Sequence, residues 1–315
     1  MRICITGIGG FAGSFLAELL LSEAHEIHGI LSPRNDRSNL TAIENRVTLY
    51  SGDLCESNVA VSLLDAIRPD GLILLASNAI PSRSFEQPRE VLHTNSLVII
   101  NIYEALRTLH LGPRVLCVSS ADVYQADPER TLNESSTVRP LNPYGISKYV
   151  QELLCGYYRQ VHALPSIVVR PFAFTGPRQK PNFAVPSFAR QIAEIEHGKK
   201  EAVIEVGNLD VVRDYSDVRD IVRGFAATFF HGKDGEVYNL CSGIGTKVRE
   251  ILETLVGYAS IPINIKESEA RLRPFDPMRV VGDHSKATQE IHWVPTIPLS
   301  TTLKDTLDYW RVTAQ

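Results

Sequence analysis

Two short segments carry side chains able to move a proton. Tyr144-Gly145-Ile146-Ser147-Lys148 sets a phenol and an ammonium four residues apart, which on a helix puts both on one face. Upstream, Val118-Ser119-Ser120-Ala121-Asp122-Val123-Tyr124 offers a hydroxyl, Ser120, where a strand is expected to end. A lysine beside a tyrosine favours the tyrosinate. Bringing a phenol from about 10 to near 7 takes about three pKa units, or roughly 4 kcal/mol of preference for the anion. A nearby cation, and any further positive charge brought beside the phenol, pushes that way. Tyr-x-x-x-Lys alone is common on surface helices, so its weight depends on what precedes it.

What precedes it is a glycine-rich turn, Thr6-Gly7-Ile8-Gly9-Gly10-Phe11-Ala12-Gly13, between a first strand and an apolar helix. Glycines at 7, 10 and 13 permit a tight turn, close approach of backbone to a pyrophosphate, and close packing of helix on strand, while the helix start supplies free N–H groups. Dinucleotide folds that take NAD often end the second strand on a carboxylate for the ribose 2′-hydroxyl. Here that strand runs Gly29-Ile30-Leu31-Ser32-Pro33-Arg34-Asn35. Ser32 and Arg34 could hydrogen-bond a 2′-phosphate, which favours NADP(H), with NAD(H) the alternative. Asp53, after the third strand, either accepts from an adenine amino group or caps the next helix.

Strand-like runs at 3–6, 27–31, 47–50, 72–76, 115–119 and 167–170 alternate with helical stretches, the rhythm of βαβ units and a doubly wound parallel sheet. Near-continuous apolar runs such as 71–76 suit strands covered on both faces. After Pro171 the rhythm breaks. A Pro- and Gly-rich segment surrounds one helical stretch, 185–196, and βα character returns at 217–230 and 237–241. The expected architecture is a Rossmann domain from 1–171 and 212–242, with a smaller discontinuous lobe from 172–211 and 243–315 over the carboxyl ends of the strands, where open α/β sheets bind ligands. With 315 residues, 44% hydrophobic, 22% charged and a net charge of −4, the chain has no basic footprint for nucleic acid. No apolar run reaches membrane-spanning length. The five widely spaced cysteines form no zinc pattern. No metal is expected, and a cytoplasmic location is.

In this order, glycine turn, Ser120, then Tyr144 and Lys148, the chain resembles the extended short-chain dehydrogenase/reductases over nearly its whole length. The resemblance implies Ser120, Tyr144 and Lys148 as catalytic triad. It also implies a cofactor set of Gly7, Gly10, Phe11, Ala12, Ser32, Arg34, Asp53, Leu54, Ala76 and Asn95 together with Tyr144 and Lys148. Stretches 185–193, 206–214 and 241–246 and Leu272-Arg273-Pro274 resemble the GDP-sugar branch. Within it they look most like the GDP-4-keto-6-deoxy-D-mannose reductases, which form GDP-D-rhamnose, and less like the GDP-mannose 4,6-dehydratases. That likeness implies a GDP-sugar substrate held by Asp122, Ala173, Val185, Asn208, Arg213, Arg273 and Asp276, with Arg213 and Arg273 on the diphosphate. The chain departs from the family pattern at Ala173, where asparagine is usual. Leu74-Leu75-Ala76-Ser77 lacks a frequent histidine, and Gln125 stands where glycine is usual.

The same triad serves 4,6-dehydratases and epimerases, so those remain rival readings, and a non-catalytic NADP(H)-sensing regulator is a third. The dehydratases carry a glutamate at the place of Asp122. The resemblance further implies a homodimer through a four-helix bundle of helices 95–108 and 144–162. Leu97, Ile100 and Tyr103 on the first, and Val150, Leu153 and Tyr157 on the second, either form that bundle or face the sheet.

Overall fold

The computed structural model describes residues 1–33, 37–272 and 274–314. Its first half alternates strand and helix: β1 (Arg2–Thr6), α1 (Phe11–Ser22), β2 (Glu26–Leu31), β3 (Thr48–Ser51), α2 (Ser57–Ile67), β4 (Gly71–Leu74), α3 (Pro81–Glu86), α4 (Pro88–Thr108), β5 (Arg114–Val118), α5 (Pro143–His162) and β6 (Ser166–Pro171). There follow β7 (Ala173–Thr175), α6 (Ala184–Glu196), β8 (Val203–Val206), β9 (Val212–Asp217), α7 (Val218–His231) and β10 (Val237–Leu240). The last stretch holds β11 (Gly245–Lys247), α8 (Val248–Gly257), β12 (Asn264–Glu267), β13 (Arg279–Val280), α9 (Ser285–Ile291) and α10 (Leu299–Thr313).

One seven-stranded sheet, ordered β10-β6-β5-β4-β1-β2-β3, is parallel throughout. The order turns back on itself between β1 and β4, so the crossovers leave on opposite faces and open a crevice at the strands' carboxyl ends. Alternate strand residues divide accordingly. Ile3, Ile5, Ile73 and Leu116 pack with α1 and α7, while Cys4, Leu72, Val115 and Cys117 pack with α2, α4 and α5. These strands are buried on both sides, which is why they read as unbroken apolar runs.

A separate core of Val185, Phe188, Ile192, Leu252, Leu255 and Leu303 joins α6, α8 and α10. A small sheet, β11-β9-β13 with β7 on β9, connects this lobe to the main sheet. The strand that follows residue 211 lies outside the main sheet. β9 is hydrogen-bonded to β7, β11 and β13, because β10 takes the edge position beside β6. Two further differences concern element ends. The strand expected over 72–76 ends at Leu74, where the backbone turns to let Thr6 Oγ1 accept from Leu75 and Ala76 at 3.1 and 3.0 Å. The helix expected from 95 begins at Pro88, a residue suited to a first turn because its missing N–H would have no partner there.

Three elements of the smaller lobe are tied by one carboxylate. Glu196, at the end of α6, accepts from Arg311 Nε at 2.7 Å and Nη2 at 2.8 Å on α10, and from Ser260 N at 2.8 Å just beyond α8. The guanidinium beside it holds the Glu196 carboxyl down from its ordinary 4.5 to about 2. A lowered acid stabilises the fold fully above its unfolded value and loses that contribution as pH falls through its folded one. Glu196→Gln is therefore expected to cost on the order of 2 kcal/mol at neutral pH, with the difference from the parent shrinking between pH 4.5 and 2. Urea unfolding of both proteins across that range checks it.

Candidate active site

The carboxyl ends of β1, β2, β4 and β5 lie side by side, since Thr6 is in register with Ile30 and Leu74, and Leu74 with Cys117. The turn after β1 is shaped by absent side chains. Gly7 has φ +72°, and a Cβ there would stand 3.0 Å from the Ala76 nitrogen; one at Gly13 would overlap the Gly7 carbonyl. The turn is thus pinned between α1 and the end of β4. Gly10 is the N-cap of α1 and, among the described residues, no side chain caps that helix, which suits its first N–H groups to an anion. This cradle fits the pyrophosphate of a dinucleotide.

Other residues expected around the cofactor are placed less uniformly. Phe11 stacks on Phe174 with ring centroids 5.6 Å apart, and Ala12 beside it is half-buried. Ser32 is half-buried just past β2, and Arg34 lies outside the described residues. Asp53 is exposed after β3, its carboxylate accepting from Cys55 N at 3.0 Å. It forms a turn and does not cap α2, whose N-cap is Glu56. Leu54 is buried and its carbonyl accepts from Asn101 at 2.9 Å. Asn95 is fully buried, accepting from Asn78 N at 2.7 Å and donating to Ser147 Oγ at 2.8 Å, so its side chain braces the chain after β4.

Ser120, Tyr144 and Lys148 are brought together by two abutting turns. Ser120 caps a 3-10 turn, Ala121–Val123, accepting from Asp122 N at 3.2 Å. α5 begins on an Asn-Pro pair: Asn142 accepts from Gly145 N at 2.7 Å, and Pro143 occupies the first helical position. Gly145 lets the two turns touch, because a Cβ there would overlap the Asp122 carbonyl. Tyr144 then hydrogen-bonds Ser120, and Lys148 Nζ lies 5.8 Å from the phenol ring centre.

Burial acts on both titrating side chains. Burial, the Asp122 charge next, push the Tyr144 phenol well above its ordinary value, and the Ser120 hydrogen bond opposes them only in part. The chain by itself keeps Tyr144 protonated. Lys148 is pushed the other way, to about 8, because burial disfavours its charge. Its Nζ donates to Val118 O at 2.8 Å, Gln151 Oε1 at 3.2 Å and Ser77 Oγ at 3.3 Å, all neutral. Glu152 is taken up by a buried ion pair with Arg170, at 2.9 and 2.6 Å, and by the Ser119 hydroxyl. Asn142, Gln151 and the Glu152–Arg170 pair escaped the sequence reading. The Asn-Pro pair was a legible helix start, whereas nothing in α5's periodicity marks which polar residues are buried.

The residues expected at the substrate are spread over the smaller lobe and its connecting sheet. Asp122 flanks Tyr144. Ala173 is half-buried on β7, opposite Tyr215 of β9. The Val185 side chain is 1% exposed and packs in the lobe's core, so it does not present a contact surface. Asn208 forms a turn, accepting from Asp210 N at 3.0 Å. Arg213 and Asp276 form an ion pair with each other, while Arg273 lies outside the described residues. Beside Asp122 and Tyr124, a shallow apolar notch is lined by Ala121, Leu141, Phe275 and Pro277.

A doubly wound parallel sheet, a glycine cradle at its first turn and a cluster of half-buried Ser120 with buried Tyr144 and Lys148 past the carboxyl end of β5 define an extended short-chain dehydrogenase/reductase. Residues 4–306 match the GDP-mannose 4,6-dehydratase family, and the chain belongs to it. It is 33% identical over 312 residues to the GDP-6-deoxy-D-mannose reductase of Pseudomonas aeruginosa, covering 98% of this chain and 97% of that one. It is 30% identical to the GDP-6-deoxy-D-talose 4-dehydrogenase of Aggregatibacter actinomycetemcomitans, covering 91% and 90%. The solved structure of RMD from Pseudomonas aeruginosa complexed with NADPH superposes with a TM-score of 0.85 at 30% identity, over 99% of this chain and all of that one.

The two glycines of α5 make a test of the abutting turns. Gly145→Ala is expected to destabilise by about 1–3 kcal/mol through overpacking. Gly156→Ala, where a Cβ meets nothing, is expected to gain about 0.5–1 kcal/mol. Thermal unfolding of both variants measures the contrast.

Proposed function

We propose that the chain is an NADPH-dependent reductase of the C4 ketone of a GDP-4-keto-6-deoxy-hexose, turning GDP-4-keto-6-deoxy-D-mannose into GDP-D-rhamnose or its C4 epimer. The observation that carries this reading is the likeness to the GDP-6-deoxy-D-mannose reductase over 98% of the chain. Reducing a ketone needs an acid that still holds its proton when the substrate arrives, whereas a dehydratase must begin by oxidising C4 and needs a base. Tyr144, beside Ser120, is the side chain placed to be that acid. The likeness to the reductase and to the NADPH complex supports the same choice.

When bound, NADPH supplies the hydride that adds to C4. The chain's own residues handle the oxygen: Tyr144 gives its proton to the developing alkoxide, and the Ser120 hydroxyl, already hydrogen-bonded to that phenol, donates to the same oxygen. Lys148 positions the ribose and favours the tyrosinate left behind. The cradle of Gly7 and Gly10 holds the pyrophosphate, with Arg34 and Ser32 on the 2′-phosphate. Arg213 and Arg273 take the substrate diphosphate, a task suited to guanidinium forks.

Dimerisation through α4 and α5 belongs to the same proposal. Leu153 and Tyr157 are 56% and 49% exposed along α5, an apolar stripe continued by Ile146 and Val161. Tyr103 is excluded from it, being fully buried and stacked on Tyr158 inside the chain. Five unpaired cysteines suit a cytoplasmic location. No helix of the described residues is long and apolar enough to cross a membrane.

The dehydratase alternative draws on Asp122, a carboxylate close enough to raise Tyr144. Two incubations separate the readings. With GDP-4-keto-6-deoxy-D-mannose, the chain is expected to consume NADPH and add two hydrogens to the sugar; GDP-mannose is expected to stay unchanged. Tyr144→Phe should lower the first rate on the order of 10²–10⁴-fold while cofactor still binds. Mass spectrometry showing water lost from GDP-mannose, and no reduction of the keto-sugar, would replace the proposal by the dehydratase.

A further inference from the structure

A glutamine is out of place where α5 meets α4. Gln151 is 4% exposed, and burying an amide is costly unless both its donor and its acceptor are satisfied. Both are. Nε2 donates to the Asn95 carbonyl on α4 at 2.8 Å, and Oε1 accepts from Lys148 Nζ at 3.2 Å. The orientation of the amide is fixed by its partners, since a carbonyl only accepts and an ammonium only donates. Asn95 is itself immobilised by Asn78 and Ser147.

We infer that Gln151 is a positioning residue, a neutral strut between the Asn95 carbonyl and the Lys148 ammonium that sets where the ammonium points and how readily it stays charged. The inference rests on the proposed reading only in taking Lys148 to be a working residue. An ammonium has three protons. One goes to the Val118 carbonyl, part of the sheet, and one to the strutted Gln151 oxygen. The third goes to the Ser77 hydroxyl beyond β4, at the crevice edge. With two directions fixed by the fold, the third is aimed at the crevice.

The charge state follows from the same geometry. Among the described residues, no carboxylate is a hydrogen-bond partner of Nζ. The groups around it are the Cys117 thiol on β5, Glu152 and Cys155 on α5, and Tyr144 one turn earlier; Glu152 is engaged by Arg170 and Ser119. Beyond the phenol lies Asp122 of the 3-10 turn. Burial outweighs these and brings Lys148 to about 8, so small changes at the strut move its charge within the neutral range.

Two substitutions act in opposite directions. Gln151→Met keeps the length and removes the acceptor, so Lys148 should lose its proton at lower pH. Gln151→Glu puts a charge at the same place and should raise the midpoint by about one to three units. The direct measurement is a pH titration of the intact protein labelled with ¹³C at lysine Cε, with the Lys148 signal identified by its disappearance in Lys148→Met. Midpoints displaced downward in Gln151→Met and upward in Gln151→Glu support the strut. Should the Met variant fail to fold, the upward shift in the Glu variant decides alone. A Lys148 midpoint that stays put in the folded variants, or moves the same way in both, overturns it. The titration needs no turnover. If midpoints move as expected but no keto-sugar is reduced, the proposed activity fails and the strut stands.

Discussion

The backbone carbonyl of Asp122 occupies the space a side chain at position 145 would need. That contact lets the first turn of α5 lie directly on the 3-10 turn after β5, and the rest of the site depends on it. It brings Tyr144 to Ser120, and the helix then carries Lys148 under the end of β5, within reach of the Val118 carbonyl. Asn142 and Pro143 start α5 at the position that allows this. Behind it, the buried Glu152–Arg170 pair joins α5 to β6. Removing one partner would leave the other's charge stranded, at a cost of about 3–5 kcal/mol.

Within that frame the two titrating side chains are pushed apart by one cause. Burial raises the Tyr144 phenol and lowers the Lys148 ammonium, so each is drawn toward its neutral form. Around neutral pH the site keeps a proton on the phenol and a cation that is only modestly favoured. Such a pair is ready to give a proton to an oxygen that becomes negative, and the cation then stabilises the phenolate that remains. In the small connecting sheet Arg213 is paired with Asp276, so its charge is balanced within the chain.

Much of this was legible in the sequence. The strands are buried on both faces, so their apolar runs announced a parallel sheet, and the glycines at 7 and 13 carry their reason in the backbone packed against them. The i, i+4 spacing put Tyr144 and Lys148 on one helix face, and the resemblance to the family implied Ser120 beside them. What was not legible depended on contacts between distant segments. Periodicity shows that α4 and α5 are two-faced but not which neighbour each face meets, so Tyr103 turns inward while Leu153 and Tyr157 stay outside. Gln151 looks like any polar helix residue until α4 brings the Asn95 carbonyl to it. The partner of β9 and the pairing of Arg213 with Asp276 arise from a sheet assembled out of four remote pieces. How strongly burial acts on Tyr144 was likewise hidden, because desolvation cannot be judged before the packing is known.

The central claim is that this site adds hydrogen at C4 of a keto-sugar, with Tyr144 as the acid. Its most direct test follows a label. NADPH dideuterated at C4 of the nicotinamide would be incubated with the chain and GDP-4-keto-6-deoxy-D-mannose, and the product examined by proton and deuterium NMR. The account predicts one deuterium at C4 of the sugar and none elsewhere. Deuterium retained entirely in the cofactor, or found at C5 or C6 with C4 unlabelled, would contradict it.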